Sequence, residues 1–302
     1  MTSYDALLLL SFGGPEGPEE VIPFLENVTR GRNIPKERLE EVGEHYFLFG
    51  GVSPINQLCR DLKAAIEADF AANGVDLPVY WGNRNWSPYL ADTVRQMKED
   101  GVRRVAAFVT SAYSGYSTSD QYLEDIARAR DEVPGAPEID KLPAYADRPG
   151  FVEPFVDAAK DALSRLPEGA RLVFTAHSVP LSQPGRERYT AELHTAAETV
   201  ARRAAPGAPW DLVYQSRSGP PGQPWLEPQI TDHLEELHGR GVRAVAAVPI
   251  GFVSDHMEVK YDLDVEAADL AAELGLAFER AATPGSDPRF AALPRHLLEG
   301  AS

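Results

Sequence analysis

Two stretches of this chain repeat one another. GVRRVAAFV at Gly101–Val109 matches GVRAVAAVP at Gly241–Pro249, and VYWGNRNWSPYLADTV matches VYQSRSGPPGQPWLEPQITDHL once an insertion in the loop is allowed. Similarity at so wide a spacing means that one supersecondary plan is used twice, which narrows the fold to two alike halves. Each half alternates apolar strands with helical runs, the signature of a parallel sheet wrapped by helices. The expectation is therefore the α/β class: two similar Rossmann-like domains, each a parallel sheet flanked by helices, with an active cleft between them. A length of 302 residues also exceeds one ordinary core. The proline- and glycine-rich stretch VPGAPEIDKLPAYADRPG supplies the connection, giving halves 1–142 and 143–302, with a final helix that packs back on the first half.

The first half opens with a strand at Ala6–Ser11, breaks at Gly13-Gly14-Pro15 and enters a helix at Pro18–Asn27. Helices follow at Pro35–Tyr46 and Ile55–Ala72, a strand at Pro78–Gly82, a helix capped by Ser87-Pro88 and ending at Gly101, and a buried strand at Arg104–Thr110. Beyond that strand, SAYSGYSTSDQY at Ser111–Tyr122 holds three tyrosines and five serines or threonines where an α/β protein places its ligand. In the second half the strand Arg171–Ala176 ends at His177. The strand Arg243–Ile250 runs into an acidic stretch holding Asp255, His256, Glu258, Asp262, Asp264 and Glu266, and Pro288–Leu298 forms the last helix.

A charge run is ordinarily a solvated helix face. Here, however, Glu258, Asp262 and Glu266 are four apart, so a regular helix stacks them in one like-charged line that only a visiting cation relieves. His177 follows a strand at the same side of the half. Together His177 and Glu258 offer an imidazole and a carboxylate, suited to proton abstraction or to a borderline divalent metal such as Fe²⁺, with Asp262 and Glu266 as weaker oxygen ligands. Aromatic residues (Phe12, Tyr46, Trp86, Tyr113, Tyr116, Tyr122, Trp225) interleave with Arg30, Arg32, Arg84 and Arg217. That mixture suits a large flat apolar ligand carrying carboxylates.

Other chemistries fit poorly. The chain contains no nucleophile elbow, no P-loop and no dinucleotide-binding glycine pattern. A formal net charge of −17 argues against nucleic acid and anionic membrane surfaces as partners. No apolar run approaches the roughly 18 residues of a transmembrane helix, and the N-terminus has no basic region of a signal peptide, so a cytoplasmic location is expected. The one cysteine, Cys59, excludes an internal disulfide.

FTAHSVP around His177, YQSRSGPP, WLEP and PIGFVSDHMEVKYDLDVE closely resemble motifs of the ferrochelatase family, and the likeness runs from the first strand to about Arg280. The resemblance implies the chelatase-type two-domain fold and a lyase that inserts Fe²⁺ into a porphyrin. It places His177 and Glu258 as the metal-binding and proton-accepting pair, Asp262 and Glu266 in the acidic ladder, and Ser53 and Tyr122 at porphyrin-contacting positions. Tyr116, Phe12, Arg30, Tyr46 and Arg84 complete the expected porphyrin surroundings. The tyrosine–serine loop and SRSGPP are most similar to the actinobacterial branch, associated with coproporphyrin III; protoporphyrin IX is the alternative substrate, and a non-catalytic tetrapyrrole carrier or a periplasmic-type binding protein the alternative functions. Two departures stand out. Phe12 replaces the tyrosine that ligates product iron in many Gram-positive relatives, so that role is either absent or supplied elsewhere, with Tyr122 or Tyr116 as the candidates. Cys59 alone cannot hold the four-cysteine iron–sulfur cluster found in actinobacterial relatives, so no cluster and no permanently bound cofactor are expected. A monomer with transient contacts to neighbouring haem-pathway enzymes completes the expectation.

Overall fold

The computed structural model describes residues 4–31, 34–219 and 222–300. Two compact units make up the chain: Met1–Ser111, Asp120–Pro143 and Ala291–Ser302 form one, Ala112–Ser119 and Ala144–Phe290 the other. Part of the tyrosine–serine loop thus belongs to the second unit, and the C-terminal segment to the first.

The first unit contains β1 (Ala6–Ser11), α1 (Val21–Val28), α2 (Lys36–Phe47), α3 (Ile55–Ala72), β2 (Val79–Asn83), α4 (Leu90–Glu99), β3 (Arg104–Val109), α5 (Gln121–Asp131) and β4 (Glu138–Lys141). Its sheet is parallel in the order β2-β1-β3-β4. Every residue of β1 is buried, as a strand covered by helices on both faces requires. The second unit runs α6 (Pro149–Ser164), β5 (Arg171–His177), α7 (Arg186–Ala204), β6 (Trp210–Gln215), α8 (Ile230–Gly239), β7 (Ala244–Val248), α9 (Met257–Tyr261), a π-helical segment (Asp262–Ala267), α10 (Ala268–Glu273), β8 (Ala277–Arg280) and α11 (Pro288–Ala291). Its sheet repeats the plan as β6-β5-β7-β8, again parallel. In each unit the strand order reverses beside its first strand, creating the switch point at which open α/β sheets bind ligands.

The repeat holds residue by residue in the third strands and the proline segments, whereas the second strands are offset from the match of VYW with VYQ, register making Asn83 rather than Tyr80 equivalent to Tyr214. Leu9 pairs with Phe108 in the first sheet and Phe174 with Val248 in the second. Since Phe108 and Val248 are equivalent in the repeat, so are Leu9 and Phe174, and three residues on, Phe12 and His177 occupy the same topological place. Cis peptide bonds precede Pro88 and Pro228. The carbonyls of these prolines accept from the equivalent N–H groups of Asn83 at 2.7 Å and Tyr214 at 2.9 Å.

Three local expectations are corrected. Ser87 is not a helix cap: α4 begins after Tyr89 without a side-chain cap, and the Ser87 carbonyl accepts from the side chains of Asn56 and Asn83. The last helix is two, α11 and α12 (Leu293–Gly300), because Pro294 brings no backbone N–H and restarts the helix at its first turn. Arg295 of α12 donates to Asp69 of α3 at 2.8 and 3.1 Å. The acidic stretch is not one regular α-helix; the π segment widens its turn and moves the side-chain register from four residues toward five. A second π segment, Tyr116–Asp120, follows β3, so both third strands of the repeat lead toward one. Among the described residues no helix is long and apolar enough to cross a membrane.

Candidate active site

His177 is the last residue of β5, beside the switch point of the second sheet. Its backbone is held from several directions. The buried Tyr189 hydroxyl donates to the His177 carbonyl at 3.0 Å, the Ser178 N–H donates to the Gln215 carbonyl at 2.8 Å, and the Ser178 hydroxyl donates to the Leu226 carbonyl at 2.9 Å. The ring Nδ1 lies 2.5 Å from the Ser178 carbonyl, which can only accept, so Nδ1 carries a hydrogen. Nε2 is thereby directed to Glu258, whose Oε1 lies 3.5 Å away. Gly251 lets the chain after β7 come this close to β5. Its N–H donates to the Thr175 carbonyl at 3.0 Å, and a Cβ there would sit 2.6 Å from the Ala176 Cβ.

The pair is an ion pair in the free protein. Burial opposes the imidazolium, but the charge and hydrogen bonding of Glu258, helped by the Ser178 carbonyl and Asp262, outweigh it and push His177 up to about 9. Burial likewise opposes the carboxylate, yet His177 beside it, by its charge and hydrogen bond, pulls Glu258 down to about 2. Both side chains keep solvent access, at 35% and 44% exposure, so a small cation can reach them.

The five carboxylates of the stretch sort into two sets. Asp255 and Asp264 are spent on structure: Arg280 donates to both, at 3.0 and 2.6 Å, Lys260 meets Asp264 at 2.9 Å, and the Thr283 hydroxyl donates to Asp255. Glu258, Asp262 and Glu266 have no lysine or arginine partner among the described ion pairs. Asp262 accepts from the Ser216 hydroxyl and, at 3.2 Å, from the Gln215 amide, which also donates to the Glu258 carbonyl at 3.0 Å. Burial raises Asp262; repulsion from Glu258 and Glu266 adds to that, the Ser216 hydrogen bond opposes it, and the result is about 7. Glu266 is exposed. Among the described residues, no group of three or more His, Cys, Asp or Glu side chains is drawn together as a metal-holding cluster. The geometry therefore assembles a two-residue site, His177 and Glu258, with Asp262 attached to it through Gln215 and with Glu266 further along the stretch.

Three contributors were not legible in the sequence. His256 caps α9, its Nδ1 accepting from the Glu258 N–H at 3.2 Å, while burial pushes its pKa down and keeps the ring neutral. Gln215 and Ser216 hold Asp262, and Ser216 is the one non-glycine residue with a left-handed backbone among those described, at φ 60°. For Ser216 the available signal was the SRSG motif at the end of β6; for Gln215 and His256 no spacing rule announces the role.

The expected porphyrin contacts on the first unit are placed as follows. Phe12, just past β1, is 37% exposed, with Phe24 edge-on at 6.3 Å; Phe24 in turn meets Tyr46 and Trp86 at 5.9 Å. Ser53 is buried, its N–H donating to the Pro15 carbonyl and its hydroxyl accepting from the Ile55 N–H at 3.4 Å. Arg30 is exposed and donates to Asn27 at 2.6 Å. Arg84 is not an open fork: it pairs with Asp125, and its guanidinium lies 4.6 Å from the Tyr122 ring centre. Tyr122 is only 4% exposed, within the core, and burial pushes its phenol pKa up, so the hydroxyl is not presented to solvent. Tyr116, in the second unit, is half-buried in its π segment. Tyr113 and Trp225 are core residues rather than ligand walls; the Tyr113 hydroxyl donates to the Ile250 carbonyl at 2.7 Å, and the Trp225 ring fills the space beside Gly219. Arg217 lies 3.6 Å from Glu227. Arg32, Pro220 and Pro221 lie outside the described residues.

Comparison with known proteins gives this geometry its context. In fold, the chain is similar to SirB from Bacillus subtilis (TM-score 0.58, 14% identity, covering 99% of this chain and 97% of that one) and to CbiX, the terminal enzyme of sirohaem biosynthesis in denitrifying bacteria (TM-score 0.55, 16% identity, covering 98% and 99%). In sequence it is 59% identical to the coproporphyrin III ferrochelatase of Mycolicibacterium smegmatis over 98% of this chain and 89% of that protein. It is 58% identical to the protein of that name from Nocardia farcinica (98% and 86%) and 56% identical to that from Streptomyces coelicolor (98% and 84%). The ferrochelatase family model matches residues 4–301, nearly the whole chain. With His177 at the end of β5 and Glu258 on α9 beside it in a duplicated chelatase-like fold, the chain belongs to the ferrochelatase family.

Proposed function

We propose that the protein inserts Fe²⁺ into coproporphyrin III, releasing two protons and giving iron coproporphyrin III for haem synthesis. The observation that carries this is the His177 Nε2–Glu258 Oε1 pair at 3.5 Å, its tautomer fixed by the Ser178 carbonyl. The relatives named above support the choice of porphyrin.

A free-base porphyrin loses two pyrrole protons as it gains the metal. In the resting protein His177 already holds a proton near neutral pH. A dication arriving beside it disfavours the imidazolium, so metal binding expels that proton and frees Nε2. The neutral ring then takes the two pyrrole protons in turn, each held as an imidazolium that Glu258 stabilises and each passed on before the next is taken. Asp262, near 7, exchanges protons at physiological pH and receives what the pair gives up, with Glu266 at the exposed end drawing cations inward. Phe12, Tyr46 and Arg30 supply the porphyrin surroundings, with the buried Ser53 and Tyr122 and the Asp125-paired Arg84 backing them from behind, and Tyr116 is the better-exposed tyrosine for the product iron.

The protein acts without an iron–sulfur cluster: Cys59 is its one cysteine, buried on α3, with burial pushing the thiol up to about 11. It works in the cytoplasm as a monomer that meets neighbouring pathway enzymes only transiently. Glu258, Asp262 and Glu266, which no described lysine or arginine neutralises, favour a chelatase over a carrier, which has no use for a line of carboxylates at the metal position.

An anaerobic assay with Fe²⁺ and coproporphyrin III or protoporphyrin IX in parallel tests the assignment. Faster insertion into the tetra-acid is expected. His177→Ala should lower turnover by about 10²–10⁴-fold while porphyrin binding stays near normal. Full turnover in that variant would remove the proposed role of the pair.

A further inference from the structure

The first unit carries a groove of about 620 Å³ lined by four arginines, of which Arg30 and Arg84 figure above and Arg95 and Arg128 do not, against three carboxylates. In a chain of net charge −17 a cavity with more cations than anions is a local reversal. It is also built rather than incidental. Asp125, with a side chain only 9% exposed, uses one carboxylate oxygen for Arg84 and the other for Arg128, so one buried anion organises two guanidinium groups and leaves one positive charge over. Arg84 is itself 12% exposed, packed over the Tyr122 ring at 4.6 Å and within 5.9 Å of the Phe12 ring centre. Arg95 pairs with Asp92 of its own helix, and Arg30 with the neutral Asn27. Arg30, Arg95 and Arg128 each spend one of their five donors on the partners named, which leaves forks suited to carboxylates, while Arg84 stays turned to Asp125.

We propose that this groove seats carboxylate arms of the tetrapyrrole and sets the preference for a tetra-acid over a di-acid porphyrin, with Arg128 and Arg95 as specificity-determining residues and Asp125 as the group that positions Arg84 and Arg128. The proposal rests on the tetrapyrrole reading above. Arg84 joins the groove to the exposed Phe12, which that reading places at the porphyrin. A volume of about 620 Å³ lies within the range of small-molecule sites, ample for flexible acid side chains. A di-acid porphyrin with vinyl groups in place of two arms would leave the forks unfilled and gain nothing from them.

The test is equilibrium binding of metal-free coproporphyrin III and protoporphyrin IX, followed by porphyrin fluorescence, to the wild type, Arg128→Gln, Arg95→Gln and Arg128→Lys. The ratio of the two dissociation constants should fall about tenfold in either glutamine variant, since each removes a charge-assisted hydrogen bond. Arg128→Lys, which keeps the charge but not the fork, should restore part of the ratio. An unchanged ratio, or equal weakening toward both porphyrins, overturns the proposal. So does citrate or inorganic phosphate binding to the wild type but not to Arg128→Gln with the porphyrin ratio unaltered, which would make the groove a site for a free oxyanion. Because the readout contains no iron, wild-type protein that binds both porphyrins selectively yet inserts no metal would sink the catalytic reading and leave this one standing.

Discussion

At the scale of single residues, the site is governed by one exchange of charge. His177 is raised from 6.5 to about 9 and Glu258 lowered from 4.5 to about 2. A raised histidine stabilises the fold fully below its unfolded value and loses that contribution as pH climbs through the folded one. A depressed carboxylate stabilises fully above its unfolded value and loses it as pH falls through the folded one. The pair therefore contributes in full between pH 4.5 and 6.5, fading above as His177 deprotonates and below as Glu258 protonates. In Glu258→Gln the imidazole titration, followed by histidine ring NMR, should move from about 9 toward 6.5, because burial alone lowers it. A titration that stays near 9 would mean that another group holds the proton. His177 was legible in the sequence as a histidine ending an apolar strand. His256, Gln215 and Ser216 were not, since their roles come from hydrogen bonds between chain segments that only the sheet order makes neighbours.

At the scale of elements, the meeting of β5 with the chain beyond β7 decides whether Glu258 reaches His177. Gly251 has no room for a methyl group, with Ala176 at 2.6 Å from the added carbon. Gly251→Ala should destabilise by about 1–3 kcal/mol and reduce metal insertion more than porphyrin binding. Thermal unfolding and the two assays measured together check this, and an alanine variant with wild-type turnover would show that the approach is not critical. The strands and long helices were readable because apolar runs and helical periodicity are local. The π segment at Asp262–Ala267 was not, because a widened turn leaves the four-residue spacing of Glu258, Asp262 and Glu266 intact in the sequence while altering it in space. The four-residue spacing did set Glu258, Asp262 and Glu266 apart from Asp255 and Asp264, but that Arg280, on β8, claims the latter two depends on a distant strand that no spacing names.

For the molecule as a whole, the acidic excess acts through its field. Self-repulsion weakens the compact state and attracts cations, and both effects are screened by salt, with a Debye length of about 30 Å at 0.01 M falling to about 3 Å at 1 M. Raising ionic strength should lift the thermal midpoint while slowing the second-order association of Fe²⁺. A midpoint and a rate that both ignore salt would confine the field to the immediate site. The duplicated sheet was visible from the matched stretches alone, whereas the assignment of Ala112–Ser119 to the second unit required contacts from distant parts of the sequence.

The equivalence of Phe12 and His177 has a consequence for how such a fold can change. Both residues hang from the same backbone frame, defined by strand register and by matching proline carbonyl contacts, and neither side chain is needed to close that frame. Scaffold and reactivity are thus separable variables at this position. One copy can carry an aromatic ring and the other an ionisable one without either sheet being redrawn, so chemical novelty at the strand end is inexpensive for the fold that supports it.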